Sequence, residues 1–370
     1  MSNSTAHWSI GLSLPSRDIF KLPPSQPQTG GSYLRAPPSN IDAPNYFYPF
    51  RINNAIFQAS IDLTFALTFS VAYVTTVMFL NQYNASRQYR PWAISRILPY
   101  KIFVFVHNSL LALFSAWVLV GFAYASYTHL PTADGKHDYY ARVAEYLCQS
   151  ESESFRREFK NLLRLGSIST GLKGFSEQGT GYFGCIFYFS KYYEVVDTLI
   201  ILAGGKRSST LQTYHHAGVI LCGWSAIRFN SPIGLIGLIL NATVHTLMYT
   251  YFAIQRLGIR VPMGIKRSLT GIQIAQFLVG MVWSMCYLFV TYRVPSTTAD
   301  NHDKESAQTF EPHASRVHSF MDSNHTMVPC ITDSGEANVL FVTNLYLLPL
   351  IYLFVQFFIR SYRKEKKRKY

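Results

Sequence analysis

The sequence predicts an all-α membrane protein of seven transmembrane helices. Three observations carry this. Of 370 residues, 49% are hydrophobic and only 14% are charged, against roughly 25% charged in soluble globular chains. Seven runs approach the ~20 apolar residues that span a bilayer core. The net charge is +13, yet the basic residues gather in short loops between those runs and at the C-terminus, which is the positive-inside pattern. That distribution argues against the nucleic-acid partner such a charge would otherwise suggest.

Residues 1–52 are polar and rich in Pro and Ser, with no basic stretch leading into an apolar core. A disordered tail without a cleavable signal peptide is expected there. The helical domain is expected over 53–361. Its spans in order are Ile56–Leu80, Ile102–Ser126, Tyr182–Ala203, Tyr214–Phe229, Pro232–Ile254, Leu269–Tyr292 and Asn338–Ile359. The fourth is the shortest and has a polar start.

The loops set an orientation. Loop 81–101 holds Arg87, Arg90, Arg96 and Lys101; loop 204–213 holds Lys206 and Arg207; loop 255–268 holds Arg256, Arg260, Lys266 and Arg267. The tail 362–370 adds Arg363, Lys364, Lys366, Lys367, Arg368 and Lys369. With seven spans these segments share one side, so the C-terminus is expected in the cytosol and the N-terminus in a lumen. The opposite loop 293–337 is acidic, with Asp300, Asp303, Glu305, Glu311, Asp322, Asp333 and Glu336 against Arg293, Lys304 and Arg316. Loop 127–181 mixes charges. Cys148 and Cys330 fall in these two opposite-side loops, where an oxidising lumen would let them pair. The sequon Asn324-His325-Thr326 lies on the same side. Cys185, Cys222 and Cys286 lie in apolar runs and read as packing residues.

Polar side chains inside the spans carry the functional reading, because a charged group at the bilayer centre costs roughly 2.5–3.5 kcal/mol on insertion scales. In the third span, Lys191, Glu194, Asp197 and Thr198 fall at i, i+3, i+6 and i+7, one face of a continuous helix. The bland reading is an internal Lys191–Glu194 ion pair that helps helices associate. At the start of the fourth, Gln212, His215 and His216 form another face. Neutral imidazole can act as nucleophile, base or metal ligand. In the fifth, Asn241, Val244, His245, Met248, Tyr249 and Phe252 keep a strict helical stripe. Thr270, Gln273 and Gln276 open the sixth, and His107 and Asn108 sit early in the second. These groups lie near one membrane level, biased to the cytosolic side. A buried polar chamber is expected.

These stretches resemble the motifs of one family. Lys191-Tyr192-Tyr193-Glu194-Val195-Val196-Asp197-Thr198 is similar to the K-x-x-E-x-x-D-T motif of the ELO family of very-long-chain fatty acid elongases. Leu211-Gln212-Thr213-Tyr214-His215-His216 resembles its histidine box, with Q-x-x-H-H in place of H-x-x-H-H. Asn241 to Phe252 is similar to N-x-x-V-H-x-x-M-Y-x-Y-Y, and Thr270 to Phe277 to T-x-x-Q-x-x-Q-F. His107-Asn108 also fits. The order and spacing hold from about 102 to 292.

The resemblance implies seven transmembrane helices of the endoplasmic reticulum membrane enclosing an acyl-CoA tunnel. It implies a 3-oxoacyl-CoA synthase, an acyltransferase that condenses a long acyl-CoA with malonyl-CoA, releasing CO2 and CoA. No metal or other cofactor is implied. Reductases and a dehydratase of the elongation cycle are implied partners, membrane lipid surrounds the chain, and a homo-oligomer stays open. A lumenal disulfide is implied, for which Cys148 and Cys330 are the candidates. Two departures stand out. Gln212 cannot take up a proton at neutral pH, so it is expected to orient rather than titrate. Phe252 replaces a tyrosine. The terminus Lys367-Arg368-Lys369-Tyr370 only approximates a dilysine retrieval signal.

No cysteine belongs to a polar stripe, so the histidines are expected to do the chemistry. His215 is expected to attack the acyl thioester, giving an acyl-imidazole. His245 and Asn241 would stabilise the enolate formed by decarboxylation, and His216 would orient or tune His215. Lys191 would neutralise the malonyl carboxylate or CoA, held by Glu194 and Asp197. Tyr249, Gln273, His107, Asn108 and Gln212 would support the site. Two other classes compete: a membrane di-iron desaturase or hydroxylase, which needs more histidines than His107, His215, His216 and His245 supply, and a seven-helix receptor or transporter, which leaves the clustered motifs without a purpose.

Overall fold

Helices dominate the computed structural model, which describes residues 9–23, 49, 52–131, 139–148, 180–229, 231–295 and 325–366. The first expected span is two helices, α1 (Asn54–Ser60) and α2 (Leu63–Ser86). Asn53 caps the start of α1 by accepting from the Ala55 N–H, and Asp62, at the break, starts a new helix by accepting from the Thr64 N–H, each at 2.8 Å, satisfying donors that a helix start leaves free. Then follow α3 (Leu98–His129), α4 (Tyr139–Cys148), α5 (Thr180–Tyr193), α6 (Val196–Ala203), α7 (Thr210–Arg228), α8 (Ile233–Arg256), α9 (Met263–Cys286) and α10 (Ser334–Lys366).

Among the described residues, five helical stretches are long and apolar enough to cross a membrane: Leu63–Ser86, Leu98–Thr128, Ile233–Arg256, Met263–Cys286 and Ser334–Tyr362. The chain is therefore a multi-pass membrane protein. Two expectations need correction. The third span is not one helix but the 14-residue α5 and the 8-residue α6. The sixth ends at Cys286, and Tyr292 lies in a strand instead. Val290–Pro295 alternates in a way that a helix-length apolar count does not detect.

The packing closes a ring. α3 lies along α8, α8 against α9, α9 against α10, α10 against α7, α7 against α5, and α5 returns to α3. α2 lies outside this ring against α7 and α6. At the end remote from the basic loops, β1 (Ile10–Leu12), β2 (Val290–Pro295) and β3 (His325–Pro329) form an antiparallel sheet in that order, with Ile10 opposite Tyr292 and Tyr292 opposite Val328. Ile19 is buried beside it with Ile233, Tyr287, Tyr292 and Leu340.

Part of the tail expected to be disordered is thus folded. Its signal is the apolar/polar alternation Trp8-Ser9-Ile10-Gly11-Leu12-Ser13-Leu14, a strand period hidden by the surrounding Pro and Ser. Cys148 and Cys330 are joined in a disulfide with Cα atoms 4.8 Å apart. Cys148→Ser is expected to lower the unfolding free energy by about 2–5 kcal/mol, read as a fall in thermal midpoint in detergent that the reductant-treated parent reproduces. Asn324, Lys367-Arg368-Lys369-Tyr370, residues 24–48 and most of loops 127–181 and 293–337 lie outside the described residues.

Candidate active site

The site is built where the α5–α6 pair breaks. After Tyr193 the backbone tightens into three-residue turns, with the Asp197 N–H donating to the Glu194 carbonyl at 3.0 Å and that of Thr198 to Val195 at 3.1 Å. The adjacent β-branched Val195 and Val196 suit such a departure from the helix. The break splits the expected single face of Lys191, Glu194, Asp197 and Thr198 into two directions.

Lys191 and Glu194 turn to the ring interior. They are 1% and 2% exposed, and the ammonium sits 2.7 Å from Glu194 Oε1 and 3.0 Å from Asn241 Oδ1. It also stands 3.9 Å over the Phe187 ring, a favourable place for a desolvated cation. Ser190 donates a further bond to Glu194 Oε1 at 3.0 Å. Two of the three ammonium donors are taken by these oxygens, and Lys191 also lines a cavity inside the ring.

Lysine can only donate, so the contact with Lys191 fixes which way the Asn241 amide points. Its Nδ2 then donates to His245 Nε2 at 3.1 Å, which leaves the His245 proton on Nδ1. That Nδ1 is buried without a hydrogen-bond partner and lies 3.8 Å from Glu194 Oε1. The Asn241 amide thus links Lys191 to His245 and orients that ring, spending one of its two N–H donors there, while the His245 N–H is unspent.

Asp197 turns the other way. It bonds His107 Nε2 at 2.8 Å through Oδ1 and accepts from the Tyr249 hydroxyl at 2.6 Å through Oδ2. Tyr193 closes the far side of His107 at 3.0 Å. Asp197 thus holds α3 and α8 rather than Lys191, which corrects that expectation. Asn108 is buried and bonds the Val104 carbonyl one turn back.

On α7, Ser209 caps the helix by accepting from the Gln212 N–H at 3.2 Å. The loop before it needs Gly205, at φ +76°, where a Cβ would run into the backbone of Tyr89 and Arg90. Gln212 Nε2 lies 2.8 Å from His216 Nε2, consistent with the orienting role its side chain suggests. The rings of His215 and His216 are 5.4 Å apart with no hydrogen bond between them. His216 is buried, whereas His215 faces space.

Two cavities meet there. A polar chamber of about 880 Å³ lies toward the basic loops, lined by Asp197, Gln212, His216, His245, Tyr249 and Gln273 among others, with Lys206, Arg256 and Lys266 at its mouth. An apolar cavity of about 160 Å³ runs the other way between α5, α7, α8, α9 and α10. His215, Asn241, Gln276 and Phe277 line both. His215 and His245 accordingly face one continuous space. Among the described residues no three His, Cys, Asp or Glu side chains converge as a metal-ligand set.

Sequence reasoning missed two participants. Gln276, with a buried and unpartnered Oε1, belonged to a noted stripe but was not singled out. Tyr346 of α10 lies 2.8 Å from His215 Nδ1. It sits in an apolar run, 131 residues away in sequence, and only the ring closure brings it near.

Comparison with known proteins places the chain in a family. The family model described as "ELO: GNS1/SUR4 family" matches residues 59–370. The chain is 28% identical over 233 residues to a Caenorhabditis elegans protein named putative fatty acid elongase 3, covering 63% of this chain and 60% of the relative. It is 29% identical over 189 residues to fatty acid elongase 2 of Trypanosoma brucei brucei, covering 51% and 58%. It is 33% identical over 136 residues to fatty acid elongase sre1 of Dictyostelium discoideum, covering 36% and 50%. The chain thus spans between half and three fifths of the length of these relatives. No solved structure matches it.

Proposed function

From a chain that belongs to the ELO family, GNS1/SUR4 by its other name, we propose a condensing enzyme of fatty acid elongation. It joins a long-chain acyl-CoA to malonyl-CoA, with loss of CO2 and CoA, to give a 3-oxoacyl-CoA two carbons longer. The observation that carries this is the placing of His215 at the junction of an apolar and a polar cavity. A thioester reaching that junction would have its hydrocarbon in one cavity and its CoA in the other.

In the reaction, His215 Nε2 bonds to the thioester carbon and the C–S bond breaks. The departing sulfur takes up a proton from solvent and the ring gives up its own N–H proton to solvent in exchange, leaving a neutral acyl-imidazole and CoA. Malonyl-CoA then loses CO2, and the enolate carbon attacks the acyl carbon. The C–N bond breaks, and the imidazole recovers a proton from solvent. The unspent His245 N–H is the donor suited to charge developing on the enolate oxygen.

Seven membrane crossings fit this reading, with the α5–α6 pair as one and α7 as another. Half-helices at membrane depth are tolerated where they line a cavity, and the polar start of α7 has the same justification. The basic mouth would face the cytosol and receive the CoA phosphates, and the sheet and disulfide would face the lumen of the endoplasmic reticulum. Incubating purified protein with labelled malonyl-CoA and a series of long acyl-CoAs tests this. Acyl-dependent release of CO2 with a product two carbons longer is expected; CO2 release that ignores the acyl-CoA contradicts it.

The apolar cavity then limits chain length. Gly237 lines it, and a Cβ there would meet nothing within 4 Å. Gly237→Leu is expected to fill hydrocarbon space without disturbing the fold, shortening products by about one two-carbon step, as read by profiling fatty acids in a membrane lacking other elongases.

A further inference from the structure

The geometry points to Tyr346 as a positioning residue that fixes the tautomer of His215, holding the ring proton on Nδ1 and leaving the Nε2 lone pair open to the substrate cavity. This rests on the reading of His215 as nucleophile and adds a residue on another helix.

A tyrosine hydroxyl has one proton and must choose where to give it. The Tyr346 hydroxyl lies 2.8 Å from His215 Nδ1 and also donates to the His215 carbonyl at 3.3 Å. Both contacts are satisfied together only when the carbonyl takes the hydroxyl proton and Nδ1–H donates to the phenol oxygen. Nε2 is then unprotonated. Among the described residues it has no hydrogen-bond partner, and His215 lines both cavities. Which nitrogen reacts is set by the bond its partner nitrogen makes.

Tyr214 and Gly218 hold the phenol in place. Tyr214 stacks on it with ring centroids 5.6 Å apart and 20° between planes. The Tyr214 hydroxyl donates to the Tyr346 carbonyl at 3.2 Å. Gly218, one turn beyond His215, lies flat under the ring, and any Cβ there would overlap Cε2 and Cδ2 of Tyr346. As Nε2 bonds to the acyl carbon, positive charge develops on the imidazole and the Nδ1–H···O bond strengthens. The phenol oxygen therefore favours the acyl-transfer step more than substrate binding.

Two measurements test this. First, in protein carrying ¹⁵N-histidine, NMR reads which His215 nitrogen bears the proton, with the resonance assigned by its loss in His215→Gln. Protonated Nδ1 with a bare Nε2 is expected; protonated Nε2 overturns the proposal, and this needs no variant of Tyr346 to fold. Second, Tyr346→Phe should slow the formation of acyl-His215 about tenfold to a hundredfold, with the KM for acyl-CoA little changed. Gly218→Ala, which keeps the hydroxyl but displaces the ring, should reproduce the loss, and the double variant should lose no more than Tyr346→Phe alone. An acylation rate in Tyr346→Phe within twofold of the parent overturns the role. A parent that never acylates His215 sinks the nucleophile assignment instead, while the tautomer measurement still decides this proposal.

Discussion

His215→Ala is expected to lower malonyl-dependent elongation by about three orders of magnitude or more while the protein still folds. The side chain is half-buried at the cavity junction and makes one side-chain hydrogen bond, to Tyr346. Removing it costs little packing. It does remove the atom that would carry the acyl group, and loss of a covalent nucleophile elsewhere leaves only the residual catalysis of binding and oriented donors. His216→Ala should behave differently. His216 bonds Gln212 and packs edge-on near Tyr73, with ring centroids 6.3 Å apart, so its loss should cost stability as well as rate. Steady-state turnover of both variants, beside their melting points, separates the two roles. Turnover of His215→Ala within tenfold of the parent would remove His215 from the chemistry.

Lys191→Met should produce the largest loss of stability. It strands the Glu194 carboxylate, which is 2% exposed and already has an unpartnered Oε2, with only Ser190 left to bond it. Breaking a buried pair from one side costs about 3–5 kcal/mol, a large part of a typical folding free energy of about 5–15 kcal/mol. Lys191→Met with Glu194→Leu should regain most of that, because a buried ion pair is often no better than apolar groups of similar volume. Activity should not return with it. Without Lys191 the Asn241 amide is free to flip, and the His245 proton is no longer confined to Nδ1. Melting curves of the single and double variants, with turnover of the double, give the outcome. Full activity in a stable double variant would show that the Lys191–Asn241–His245 chain has no catalytic consequence.

Much of this was legible in the chain. The motif residues at helical spacing announced a polar chamber, and α3, α8, α9 and α10 were found because their apolar runs approach or exceed bilayer length. What was hidden depended on contacts distant in sequence or on local capping. Periodicity placed Lys191 and Asp197 on one face because it assumes an unbroken helix, and the turn at Glu194–Val195 separates them. Asp62 as a cap started a new helix inside an apolar run. Tyr346 looked like any aromatic in a lipid-spanning helix until ring closure set it beside His215. Gln212, an amide that cannot titrate, was expected to orient, and the structure places its side chain 2.8 Å from His216 Nε2.

The central claim is that one imidazole at the meeting point of two cavities takes the acyl group before any malonyl-CoA arrives. Purified protein given acyl-CoA alone, quenched, digested and examined by mass spectrometry tests it most directly. The account predicts a peptide containing His215 heavier by one acyl group, and discharge of that adduct on adding malonyl-CoA. An unmodified His215 in protein that nevertheless condenses both substrates, or an acyl group found on another side chain, would contradict it.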